Sequence, residues 1–146
     1  MTLTGLCLTL WLRHPQLPFD RKVLGCALAP AVVVAARVHH VPPPLLAGVV
    51  YVESRWNRRA VSGGPCCGLA QVNPRWTPGV TCSDLLWPLR GLWEGAAALE
   101  RWKHRRPTWR AALACYHTGN KCRGSRYESQ VLRESQLLER MSLTTR

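Results

Sequence analysis

Apolar positions recur at helical spacing along most of the chain. Leu46, Val49, Val50 and Trp56 stand at −7, −4, −3 and +3 from Glu53, which predicts a helix over residues 45–56 with a lone carboxylate on its apolar stripe. The run Ala31 to Val38 reads as a buried helix opened by Pro30 in its first turn and closed by His39 and His40. Leu92, Ala96, Leu99 and Trp102 predict a third helix over residues 90–104. After Pro107, the spacing of Trp109, Ala112, Leu113 and Tyr116 predicts a fourth, stopped at Thr118-Gly119-Asn120. A last helix over residues 125–140 has Tyr127, Val131 and Leu138 on its inner face. Residues 57–68 and 73–79 are dense in Gly, Pro, Ser and Asn and read as irregular loops able to wall a groove. No alternating strand pattern of useful length and no internal repeat occurs, so the fold class is mainly α. Residues 1–29 hold Pro15, Pro18 and Gly25 without a sustained period; they read as an extension with one short helix, ahead of a domain at 30–140 and a tail at 141–146.

Composition makes this chain one globular domain. With 146 residues, 47% hydrophobic and 19% charged, it is long enough to bury about 68–70% of its extended surface. Seven Trp against one Phe supply bulky core units or, in an open groove, flat platforms for sugars or bases. The net charge of +12 favours an anionic partner: nucleic acid, a membrane surface or a cell wall. No basic zipper, paired-Cys zinc module or aromatic RNA-binding signature accompanies it, so nucleic acid has no specific motif here.

Seven cysteines leave at least one unpaired. Cys66, Cys67, Cys82 and Cys122 fall in loops where bridges are possible, whereas Cys115 falls in a helical pattern and reads as a small core residue. Cys66 and Cys67 are adjacent rather than spaced as a chelating pair, and no metal is expected. The apolar run from Met1 to Leu12 lacks a preceding basic residue and a small-residue cleavage pattern, so no export signal is legible, and it is too short to cross a bilayer as a helix.

Glu53 is the residue that needs a reason. Among apolar neighbours its ionised form is disfavoured and its pKa rises, the state a general acid needs near neutrality; the alternative is a Glu at the solvent-facing edge of the stripe. His39 and His40 read as a ligand or base, or as caps at the negative end of a helix dipole.

The order of motifs from about Pro30 to Leu132 resembles the lytic transglycosylases with a goose-lysozyme-like catalytic domain, of the soluble lytic transglycosylase (SLT) type. Glu53-Ser54-x-Trp56-Asn57-x-x-Ala60-Val61-Ser62 is similar to the family's catalytic Glu-Ser segment, and Gly68-Leu69-Ala70-Gln71 to its Gly-Leu-Met-Gln. Asp84-Leu85-x-x-Pro88 and Gly95-Ala96-x-x-Leu99 resemble the lead into the next helix. Ala112-Leu113-Ala114-Cys115-Tyr116-His117-Thr118-Gly119 resembles the Ala-Leu-Ala-Ala-Tyr-Asn-Ala-Gly block, and Tyr127 the closing tyrosine. Each piece alone is weak; five in order are specific. The departures are Ala70 in place of Met and His117 in place of Asn.

The resemblance implies a lysozyme-like single domain in which Glu53 is the catalytic acid. It also implies that Ser54, Gln71, Tyr116, His117 and Tyr127 attend the substrate. The implied partner is the glycan strand of peptidoglycan, cut at the β-1,4 bond between N-acetylmuramic acid and N-acetylglucosamine with closure of a 1,6-anhydro ring and no cofactor. Two alternatives stand beside it: a goose-type hydrolase on the same fold, with Asp84 as the loop carboxylate to inspect, and a non-catalytic basic protein that binds cell wall or nucleic acid. Small size, basic charge and the missing export signal fit a phage lysis or virion-associated enzyme acting in the periplasm or cell wall.

Overall fold

The computed structural model describes residues 1–144. Within them seven α-helices follow one another: α1 (Leu3–Leu12), α2 (Phe19–Val38), α3 (Pro43–Ser54), α4 (Cys82–Leu85), α5 (Pro88–Arg105), α6 (Trp109–Thr118) and α7 (Arg126–Leu143). Short 3-10 turns lie at Pro74–Trp76 and Gly119–Lys121. Among the described residues there is no strand, only isolated bridges pairing Val61 with Cys67 and Cys67 with Val72. The mainly α expectation holds.

The starts of the helices are written in local chemistry. Thr2 and Thr108 cap α1 and α6 with their side-chain oxygens, and Pro43 occupies the first turn of α3, where a missing N–H costs nothing. Ser125 and Glu128 form a reciprocal capping box at α7. Helix α3 is the centre. It is buried from Pro44 through Tyr51 without a break and packs against α2, α5 and α7, so it is apolar on all sides, as a core helix must be. Its contact with α7 is at backbone distance: a Cβ added to Gly48 would lie 2.9 Å from the Val131 carbonyl oxygen.

The N-terminal region differs from the expectation. It folds as α1 and the first half of α2, an antiparallel hairpin joined by a Cys7–Cys26 disulfide, and Leu6 and Leu10 are buried in the common core. Pro30 lies inside α2 rather than at its start. The ring removes one helical hydrogen bond, but it sits on the exposed side while Ala29 and Val32 are fully buried, and packing along the whole helix outweighs that local loss. A division at residues 29 and 30 therefore falls within one helix. The expected tail joins α7 as far as Leu143; residues 145 and 146 lie outside the described residues.

Cys115 is also corrected. It is fully buried, as a core residue would be, yet it is bonded to Cys122 across the end of α6. Arg106 donates to both sulfurs, from Nε to Cys115 and from Nη2 to Cys122, at 3.1 Å each. His39 and His40 both hold Glu100 through Nδ1 at 2.9 Å, which clamps the end of α2 onto α5. Among the described residues no group of three or more His, Cys, Asp or Glu is arranged to hold a metal ion.

Candidate active site

Glu53 stands in the last turn of α3, at the point where the helix is forced to stop. Arg55 and Trp56 both adopt left-handed backbone (φ 52° and 59°), costly for side-chain-bearing residues and tolerated where packing dictates it. Trp56 supplies that packing: it is 1% exposed and lies against Gly25 of α2. The end of α3 is thereby fixed, and Glu53 with it.

The glutamate is partly buried, and desolvation raises its pKa from 4.5 to about 7. The Tyr127 hydroxyl opposes that shift by hydrogen bonding to the carboxyl. Tyr127 is buried on α7, and its hydroxyl makes no well-aligned hydrogen bond, so the contact with Glu53 is a loose one. Burial and the facing carboxylate push the tyrosine far above the ordinary phenol range, so it remains a neutral donor. The His117 ring stacks on Tyr127, with centroids 4.3 Å apart and planes 10° from parallel. Tyr116 donates its hydroxyl to the Ala70 carbonyl at 2.6 Å; burial first and the Glu53 charge second raise its pKa strongly.

The loop that faces these groups is held by a set of short-range devices. Gly68 has φ +77°, and a Cβ there would collide with the Leu85 carbonyl oxygen, so glycine is obligatory. Gln71, itself left-handed at φ 49°, donates its amide N–H groups to the carbonyls of Ala60 (2.9 Å) and Gly68 (3.0 Å). The Cys67–Cys82 disulfide ties the loop to α4. A cleft of about 430 Å³ opens beside it, lined among others by Gln71, Trp76, Trp102, Tyr116 and His117. Cys66, the free cysteine among the described residues, lines the same cleft. Burial first, then the Glu53 charge, push its thiol above the usual range, which brings Cys66 into the neighbourhood of the carboxyl.

Of the residues singled out in the sequence, Glu53, Tyr116 and Tyr127 come together as one interacting group, with His117 stacked on its edge and Gln71 lining the cleft. Ser54 plays a different part, since it is buried and donates its hydroxyl to the Val50 carbonyl at 3.1 Å, within its own helix. Ala70, which stands in place of the family's Met, is fully buried, and a Cβ added to Gly95 would press on it. Cys66 and Trp76 line the cleft without having been marked by the sequence. The Cys-Cys pair gives no sign of which partner is bonded, and Trp76 sits in a loop without period.

Of the seven other carboxylates, five are engaged elsewhere, and Asp20 and Glu139 lie on α2 and α7. Glu94 pairs with Arg90, Glu100 with His39 and His40, and Glu134 with His14. Glu128 and Asp84 accept hydrogen bonds in the capping boxes of α7 and α4. None of them is among the causes of the Glu53 shift.

The family model for the transglycosylase SLT domain matches residues 31–137. The protein named Transglycosylase of Enterobacteria phage PRD1 is 29% identical over 109 residues, covering 71% of this chain and 41% of that protein. The chain thus corresponds to less than half the length of that relative. No solved structure matches it. With most of the chain inside the family match, and a partly buried glutamate set against two tyrosines at the end of its central helix, this protein belongs to the transglycosylase SLT domain family.

Proposed function

We propose that this domain is a peptidoglycan lytic transglycosylase that uses Glu53 as both acid and base. The acid form protonates the leaving glycosidic oxygen between N-acetylmuramic acid and N-acetylglucosamine. The resulting carboxylate then takes the proton from the muramic acid 6-hydroxyl, whose oxygen closes the 1,6-anhydro ring. The substrate's own acetamido group stabilises the positive charge that develops between the two steps. A pKa of about 7 suits both duties at neutral pH. Tyr127 donates toward the carboxylate when it is charged, Tyr116 fixes the loop through the Ala70 carbonyl, and Gln71, with its N–H groups occupied, offers an acceptor to the glycan. The PRD1 relative and the basic charge support a phage-encoded enzyme that meets the anionic wall during lysis or entry.

The observation that carries the reading is that no second carboxylate among the described residues contributes to the Glu53 shift. An inverting hydrolase needs a second one roughly 6.5–9.5 Å away to activate water, and a retaining hydrolase with a protein nucleophile needs one at about 5–5.5 Å. Asp84, the loop carboxylate, is committed to its capping box with Thr81. Mass spectrometry of digested, purified cell walls tests the proposal. Anhydro-muropeptides, with no water added per cleavage, are expected; reducing, hydrated muramic acid ends would assign a lysozyme instead. A protein that binds walls without cutting them would leave the walls intact.

A further inference from the structure

The hairpin of α1 and α2 presents an outward face that is apolar where a soluble surface would be polar. Helix α1 buries Gly5, Leu6, Thr9 and Leu10, yet its other side carries Leu3, Trp11 and Leu12, 50%, 43% and 63% exposed. On α2, Phe19, Val23, Ala27, Pro30, Val34 and Val38 are exposed at helical spacing, with the exposed charges of the helix, Asp20 and Arg37, at its two ends. Phe19 is 71% exposed and meets Trp11 edge to face, with centroids 5.6 Å apart, so the two stripes join at that end. The Cys7–Cys26 disulfide locks the helices together, which makes the face preformed.

Its rim is cationic. Arg13 is exposed directly after Leu12, whereas Lys22 is buried beneath the Trp11 ring, 5.1 Å from its centroid, and donates to the Pro15 carbonyl, so it holds the ring in place and adds no charge to the rim. Arg21, Arg58 and Arg59 outnumber Asp20 in one crevice beside the start of α2, and Arg37 is exposed next to Val38 at the far end. The first forty residues contain a single acidic residue, Asp20.

We infer that this face is a docking surface for an anionic lipid bilayer. An apolar centre with aromatic side chains and a basic rim is the arrangement that settles at the headgroup boundary, where rings enter the acyl edge and cations meet phosphates. A partner protein of ordinary composition offers no comparable reason for a basic border around so apolar a stripe. Among the described residues no single helix is long and apolar enough to cross a membrane, and α3, which with α2 makes the one bent pair of sufficient length and composition, is buried at the centre of the fold, so the hairpin lies on the surface with its side chains inserted. Docking holds the domain beside the membrane while its cleft works on the adjoining wall.

Flotation of the full chain with vesicles tests this. The protein is expected to float with phosphatidylglycerol–phosphatidylethanolamine vesicles, less so at high salt, and to stay behind with phosphatidylcholine. Leu12→Ser combined with Val34→Ser removes two largely exposed side chains, 63% and 56% exposed, and should lower the bound fraction about tenfold or more. Circular dichroism and digestion of isolated walls should not change. Arg13→Glu should weaken binding to the anionic vesicles alone. A wild-type chain that does not float, or a double variant that floats as well as wild type, overturns the inference. Concentration-dependent dimers that the double variant abolishes, without vesicle binding, would reassign the face to a second copy.

Discussion

Glu53→Gln separates the electrostatic cost of the site from its catalytic use. The carboxyl titrates near 4.5 in an unfolded chain and at about 7 in the fold. That shift corresponds to roughly 3 kcal/mol. The sign follows from which state holds the proton. Below pH 4.5 Glu53 is neutral in both states and imposes no penalty. Between 4.5 and about 7 the unfolded chain releases the proton and the folded one retains it, so stability falls as pH rises. Above about 7 the folded carboxyl is ionised too and the loss levels off. Glutamine has no such transition. The variant should therefore match the wild type near pH 4 and exceed it by roughly 3 kcal/mol at pH 8, a difference on the order of 10 °C in Tm for a domain of this size. Urea unfolding at pH 4, 6 and 8 with disulfides intact would measure the divergence. Wall clearing should drop by about 10²–10⁴-fold in the same variant. Parallel stability curves for the two proteins would refute the claim that Glu53 is desolvated, whatever happens to activity.

Tyr127→Phe removes the hydroxyl that holds the Glu53 pKa down, so the alkaline limb of the rate profile should move to higher pH, measurable as wall clearing against pH. Gly48→Ala should cost about 1–3 kcal/mol in chemical unfolding, because its Cβ meets the Val131 carbonyl and α3 must separate from α7. Cys67→Ala with Cys82→Ala opens a bridge spanning 15 residues and should cost about 3 kcal/mol in unfolding, with a larger proportional loss of activity as the loop bearing Gln71 loosens. Iodoacetamide should label Cys66 slowly at neutral pH, since its thiol is held protonated, and the labelled enzyme should lose wall clearing because the adduct fills the cleft; mass spectrometry would locate the adduct.

The central helix and its glutamate were legible because burial imposes a period that Leu46, Val49 and Val50 display directly. The start of the last helix at residue 125 was legible from its period, whereas the capping by Ser125 and the positive φ of Gly68 emerge only from the backbone that they serve. Pro30 misled because its local preference for a helix start was outweighed by packing on both sides of it. The hairpin of α1 and α2 went unread because it is apolar on both faces, so no contrast marks a period. Pairing of Cys115 with Cys122 depends on how α6 ends, which no spacing rule supplies. Ser54 shows the limit of motif transfer: its position is that of a glycan contact by resemblance, while its hydroxyl points into its own helix.

The joining of Glu53 to Tyr127 across 74 positions of sequence also sets an order of events during synthesis. Helix α7 is translated after every other part of the site, and it brings Tyr127, the Val131 backbone beneath Gly48, and Ser142, which accepts a hydrogen bond from the Thr2 amide at the opposite end of the chain. Until α7 leaves the ribosome, α3 lacks the flank that Tyr127 and Val131 supply, and the burial that raises the Glu53 pKa is incomplete. On the role proposed for Glu53, a chain terminated before α7 is expected to leave purified walls intact, which a truncation at residue 125 would test.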